Sequence, residues 1–196
     1  MSIQFNFALT VFFLVNLLII FINSLQALFL EKLQPKIFLF ENVRGLLNHD
    51  KGRTWQVMYD IFEERGYDVK FRVLNRCNYG IPQHRERIFI VAFLDYDQCA
   101  RFNYPEPIER TVQLNDILDR TVKHDDIYYY NASSFYYDEM LKTVTDKRVL
   151  YKINDHGVSP RKHFVCPTLT ANMGTYPDRV PIVLDDFGIR KITPYE

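Results

Sequence analysis

Apolar and polar positions change period several times along the chain. From Ser2 to Leu30 there is no charged residue, and Val11 to Val15 and Leu17 to Ile22, with their flanks, are long enough together to span a bilayer. Pro35 and Lys36 close that helical pattern. Ile37-Phe38-Leu39-Phe40 is then a four-residue apolar run of the kind that sits in a buried parallel strand. From Thr54, Trp55, Met58, Ile61 and Phe62 recur at helical spacing, and Gly66 stands where a left-handed C-terminal cap is wanted. Tyr67, Val69, Phe71 and Val73 alternate with Asp68, Lys70 and Arg72, the period-two signature of a strand with one exposed face. Asn78 to Pro82 is a turn rich in breakers, and Ile88 to Phe93 is a second apolar strand. Strand, helix, strand, loop, strand implies half of a doubly wound α/β sheet.

Beyond Asp95 the period is lost. Tyr104-Pro105-Glu106-Pro107 reads as a linker, and residues 127–137 hold six aromatics among mostly polar neighbours. A smaller, irregular and mostly β domain is expected from about Asp95 to Leu184. The uncharged opening segment has two readings. It is a buried helix left without its neighbours, in a cytoplasmic protein, or it anchors the chain to a membrane through residues 5–30. A signal peptide fits poorly, since no Lys or Arg follows Met1 and no small-residue cleavage site ends the run.

Composition narrows the picture only a little. Lys+Arg and Asp+Glu balance at 24 each, so no global charge advertises nucleic acid, although a local cationic cleft suffices for phosphate contacts. Cys77, Cys99 and Cys166 form no CxxC pair and are odd in number, which argues against a zinc site or a disulfide framework and fits a reducing cytoplasm. Cys166, in Cys-Pro-Thr, reads as a structural thiol.

Four short stretches carry the chemistry: Glu41-Asn42-Val43 at the end of the first strand, Gln83-His84-Arg85-Glu86-Arg87 before the last, Pro167-Thr168-Leu169-Thr170, and Arg190 to Glu196. Polar groups at the carboxyl ends of strands in an open α/β sheet face the ligand crevice, which puts Glu41 where chemistry is done. Arg85 and Arg87, two apart, point to one face in extended backbone and offer two guanidinium forks. In order and spacing these stretches resemble the later motifs of the DNA cytosine-5 methyltransferases, from about Lys32 onward with a break between roughly Asp95 and Asn154. The resemblance implies a partial doubly wound, Rossmann-like methyltransferase sheet over residues 32–94 and a target-recognition domain over 95–184. The start of the motif that returns to the catalytic domain follows over 185–196, behind an apolar segment 1–31 that matches the family poorly.

In that family the cytosine is flipped out of the duplex, because its ring faces are otherwise covered. The resemblance makes Glu41 the carboxylic acid at N3 and the 4-amino group, Arg87 the donor at O2, and Arg85 a support near the glutamate. It sets Gln83, Thr168 and Leu169 against the DNA backbone. Arg161, Lys162, His163 and Arg179 are further candidates for phosphate contacts. Arg190 to Glu196 resembles a motif that organises the recognition domain, with Tyr195 in place of the usual arginine.

The family also needs a Gly-rich loop for S-adenosylmethionine and a Pro-Cys-Gln nucleophile, and neither stands in these 196 residues. The resemblance therefore implies a cytosine-5 methyltransferase of a restriction-modification system, acting on double-stranded DNA, with a chain inactive alone. The alternatives are one half of a split enzyme, completed by another chain, and a non-enzymatic DNA-binding or membrane-attached remnant.

Overall fold

The computed structural model describes residues 30–154, 156–161, 165–171, 173–174 and 179–196. They form two compact units, each drawn from two stretches of chain. The first is the chain up to Leu74 with Arg87–Pro105, and the second is Asn75–Glu86 with Glu106–Glu196.

The first unit holds a three-stranded sheet of β1 (Ile37–Val43), β2 (Asp68–Asn75) and β3 (Glu86–Phe93), in the order β1-β3-β2. The helical spacing from Thr54 becomes α1, Arg53–Glu64, whose Met58 and Phe62 are each 2% exposed, and Gly66 takes the left-handed φ of +80° expected of it. α1 packs on the face that presents Phe38 and Phe40 from β1 and Ile88, Ile90 and Ala92 from β3. Phe38 meets the rings of Phe62 and Tyr67 edge-on, with centroids 5.1 and 5.0 Å away. Burying each such side chain is worth about 1.5–3 kcal/mol, so this layer fixes the helix on the sheet. On the other face, α2 (Tyr96–Arg101) and the segment after it cover Phe89, Val91 and Phe93 with Cys99, Phe102 and Tyr104.

One expectation is corrected here. Ile37 to Phe40 is not buried in a parallel strand: β1 pairs antiparallel with β3, from Ile37 opposite Phe93 to Val43 opposite Arg87. Ile37, Leu39 and Val43 are 47, 65 and 52% exposed. β1 lies at the margin of this sheet, and α2 reaches only the β3 side of that face. A run of four apolar residues has no alternation, so it cannot tell one covered face from two.

The second unit is built on a four-stranded antiparallel sheet, in the order β5-β4-β6-β7, of β4 (Tyr151–Asn154), β5 (Gly157–Pro160), β6 (Ile182–Leu184) and β7 (Ile189–Lys191). The short helix α3, Tyr137–Thr143, seats Met140, fully buried, among Tyr151, Ile153, Val158 and Ile182. Leu114, Leu118, Leu150 and Val183 form a separate cluster. At the β6–β7 turn, Asp185 Oδ1 accepts from the amides of Phe187 and Gly188, both at 2.8 Å.

Among the described residues no helix is long and apolar enough to cross a membrane. Residues 1–29, on which both readings of the N-terminal segment fall, lie outside the described residues.

Candidate functional site

In the first unit the chemistry gathers on β1 and β3. Glu41 stands opposite Phe89, and Arg87 opposite Val43, so the two are diagonal neighbours on one face of an antiparallel pair. That geometry brings Arg87 Nε to 3.1 Å from Glu41 Oε1. The arginine side chain is 17% exposed and the carboxylate 47%. A pair as open as this contributes at most about 1 kcal/mol to stability. It leaves nearly half of the carboxylate surface open to a ligand, beside a guanidinium held in place. Asn42 turns back on its own backbone, its Oδ1 accepting from the Val43 amide at 2.7 Å, which fixes the strand end after Glu41.

In the second unit the loop from Arg76 to Arg85 is tied to the Thr-Leu segment. Gln83 bridges Cys166 in parallel register. The His84 amide donates to the Cys166 carbonyl and the Cys166 amide to the Pro82 carbonyl, both at 2.8 Å. Thr168 Oγ1 donates to the His84 carbonyl at 2.8 Å. Gln83 is used at both ends, its Oε1 accepting from Arg76 at 3.0 Å and its Nε2 donating to the Pro167 carbonyl at 3.4 Å. Gly80 supplies a φ of +83° at the turn of the loop. Leu169, 38% exposed, follows on the surface.

The residues picked from the sequence are therefore placed in two sets. Glu41 and Arg87 meet in the first unit, whereas Gln83, Arg85, Thr168 and Leu169 belong to the second. The single hydroxyl proton of Thr168 goes to a protein carbonyl here, so a phosphate oxygen would have to win it from His84 or use a backbone amide instead. Lys162 and His163 lie outside the described residues.

Burial raises the thiol of Cys166 to about 11 and raises those of Cys77 and Cys99 above their usual value. All three stay protonated at neutral pH, and none is a prepared nucleophile. Among the described residues no three His, Cys, Asp or Glu side chains are grouped to hold a metal.

Two features were not singled out from the sequence. Asn75 places its Oδ1 at the amides of Cys77, at 3.3 Å, and Arg85, at 3.1 Å. The only sequence signal for it is an Asn ending a strand pattern before a turn. Asp185 is the other: its carboxylate is fully buried with Arg190, whose Nε donates to Oδ2 at 2.7 Å. The same guanidinium is gripped by both oxygens of Glu196 at 2.7 Å each.

A family model for C-5 cytosine-specific DNA methylases matches residues 26–195. Among curated proteins, the type II methyltransferase M.Bsp6I of Bacillus sp. (strain RFL6) is 38% identical over 179 residues, 90% of this chain and 56% of that protein. The type II methyltransferase M.NlaX of Neisseria lactamica is 34% identical over 165 residues, 83% of this chain and 50% of its own length. M.HpaII of Haemophilus parainfluenzae, also a type II methyltransferase, is 32% identical over 181 residues, or 83% and 49% of the two chains. The chain thus spans about half the length of the curated relatives it matches. Among solved structures, the Entamoeba histolytica methyltransferase EhMeth superposes with a TM-score of 0.43 at 21% identity, over 55% of this chain and 31% of that one.

Proposed function

The chain belongs to the C-5 cytosine-specific DNA methylase family, and we propose that it is the part of a restriction-modification cytosine-5 methyltransferase that holds the flipped cytosine and reads the duplex. The observation that carries this reading is the Glu41–Arg87 pair at 3.1 Å, a carboxylate with an open flank beside an anchored guanidinium. A cytosine edge offers complementary groups: N3 and the 4-amino group suit a carboxylic acid, and O2 suits a charged donor. When a thiolate adds to carbon 6, negative charge builds on the ring. Glu41 delivers a proton at N3 and Arg87 stabilises O2, both where that charge develops. Arg85, two residues before Arg87 in the sequence, has the supporting role that the family gives the first arginine of the pair. Gln83, Thr168 and Leu169 face the sugar-phosphate backbone, where contacts fix register without reading sequence.

In this reading β1, β3 and β2 are part of a Rossmann-like sheet, and the second unit is the main part of the target-recognition domain. The protein acts in the cytoplasm, on double-stranded DNA. S-adenosylmethionine supplies the methyl group in this family, but these 196 residues include no Gly-rich loop to cradle it and no Pro-Cys-Gln thiolate. Neither Cys77 nor Cys166 substitutes, since burial keeps both protonated. The chain alone transfers no methyl group, and a complementing polypeptide with those two motifs restores transfer.

The test is a single-turnover assay of radiolabel transfer from S-adenosylmethionine to duplex DNA, with and without such a polypeptide. Glu41→Gln is expected to slow transfer by on the order of a hundredfold or more, the usual contribution of a positioned acid, while changing DNA affinity little. An unchanged transfer rate would make Glu41 a strand-end carboxylate and nothing more. Incorporation by the unaided chain above a no-protein control would overturn the claim that it needs a complement.

A further inference from the structure

We infer that Asn75 is a positioning residue that fixes Arg85 by closing the loop between them with a single side-chain oxygen. β2 ends at Asn75, and the chain returns ten residues later at Arg85. Asn75 Oδ1 accepts from the amide of Cys77 at 3.3 Å and from that of Arg85 at 3.1 Å, so one acceptor joins the opening of the loop to its close. The Arg85 carbonyl accepts in turn from the Arg76 amide at 3.2 Å. Arg85 is therefore held on both sides of its Cα, by a side chain at its N–H and by backbone at its C=O. With both flanking peptides fixed, the Cα–Cβ direction is fixed, and the guanidinium reaches only what its rotamers allow. The residue type follows from the geometry. A carbonyl oxygen has two lone pairs for two amide donors, and Asn carries it on a side chain short enough to turn back onto the loop. Aspartate would offer the same oxygen, and alanine none.

The inference extends the proposed role of Arg85 as support for the site of the flipped base, and one arm of its test, duplex binding, depends on that role. The other does not. In the full chain, amide exchange at Arg85 is expected to quicken about tenfold in Asn75→Ala, the factor that corresponds to loss of one ordinary hydrogen bond, with the amides of α1 unaffected. Asn75→Asp keeps the acceptor and should keep the slow exchange. Binding of a 20-base-pair duplex should weaken severalfold in Asn75→Ala and in Arg85→Ala, and the double variant should be no weaker than Arg85→Ala alone, because Asn75 acts through Arg85. Unchanged exchange at Arg85, exchange in Asn75→Asp as fast as in Asn75→Ala, or losses that multiply in the double variant would each overturn the inference. If the unaltered chain does not bind the duplex while the exchange pattern holds, the DNA-binding reading fails and the positioning of Arg85 stands.

Discussion

Replacing Arg190 by Met leaves two carboxylates buried without their counter-charge. The Arg190 side chain is fully buried, the Asp185 side chain is 0% exposed and that of Glu196 6%. The guanidinium donates five hydrogen bonds, three to carboxylate oxygens at 2.7 Å and two to the Asp119 and Lys191 carbonyls at 3.0 Å. Removing one partner of a buried ion pair costs about 3–5 kcal/mol, because the remaining charge has lost both water and its partner. For a domain stable by about 5–15 kcal/mol, that takes much of the margin. Urea denaturation should show it, provided the probe is right. Trp55, the sole tryptophan, lies in the first unit and does not report on the second. Amide exchange in β4, β6 and β7 does.

Acid supplies a sign test for the same cluster. Burial pushes the Glu196 carboxyl up, but its hydrogen bonds to Arg190 and to the Thr193 amide outweigh that and hold it below its ordinary value of 4.5. A carboxyl depressed on folding gives stability that is present above 4.5 and is lost as pH falls through the lowered folded value. In Arg190→Met the part of that depression due to the guanidinium is gone and the Thr193 contacts alone oppose the burial of Glu196, so protonation at low pH should recover part of the loss. A destabilisation under about 1 kcal/mol, or an acid dependence identical to that of the unaltered chain, would refute this account of the cluster.

Three further outcomes are expected. Thr168→Ala removes the bond to the His84 carbonyl and should weaken DNA binding by up to about tenfold without altering the sequence methylated by the complemented enzyme, whereas Thr168→Ser should preserve affinity; methylation assays on a panel of duplexes decide it. Gly157→Ala should cost the second unit at least about 2 kcal/mol in denaturant titration. Its φ is +108°, and the new Cβ would lie 2.3 Å from Glu139 Oε1, the acceptor for the Val158 amide. Cys166, its thiol raised to about 11 by burial, should react with iodoacetamide at pH 7.5 far more slowly than free cysteine, and alkylation at the free rate would contradict the burial described.

Several parts of the molecule were legible before folding. The helix Arg53–Glu64 followed from apolar residues at 3.6 spacing, Gly66 from the need for a left-handed cap, and β3 from an unbroken apolar run. These are local features, set by bonds that reach four residues or by faces that alternate along one segment, so the segment contains its own instructions. The motif residues were legible as types at a spacing, and the ion pair of Glu41 with Arg87 joins two of them.

The edge character of β1 was not, because it depends on what lies beside the strand and not on the strand itself. Nor was the grouping of Asn75–Glu86 with residues 106–196, which rests on bonds such as Thr168 to His84, 84 residues apart. The sequence alone determined which residue types stand in the order of the methylase family: a carboxylate, two arginines and a Thr-Leu pair. Tertiary structure decided what each group touches. It gave the Thr168 proton to a carbonyl, closed the Arg85 loop with Asn75, and buried Asp185, Arg190 and Glu196 together. Such pairings are selected by the whole packed chain, since a charge or donor withdrawn from water must find its partner wherever folding brings one.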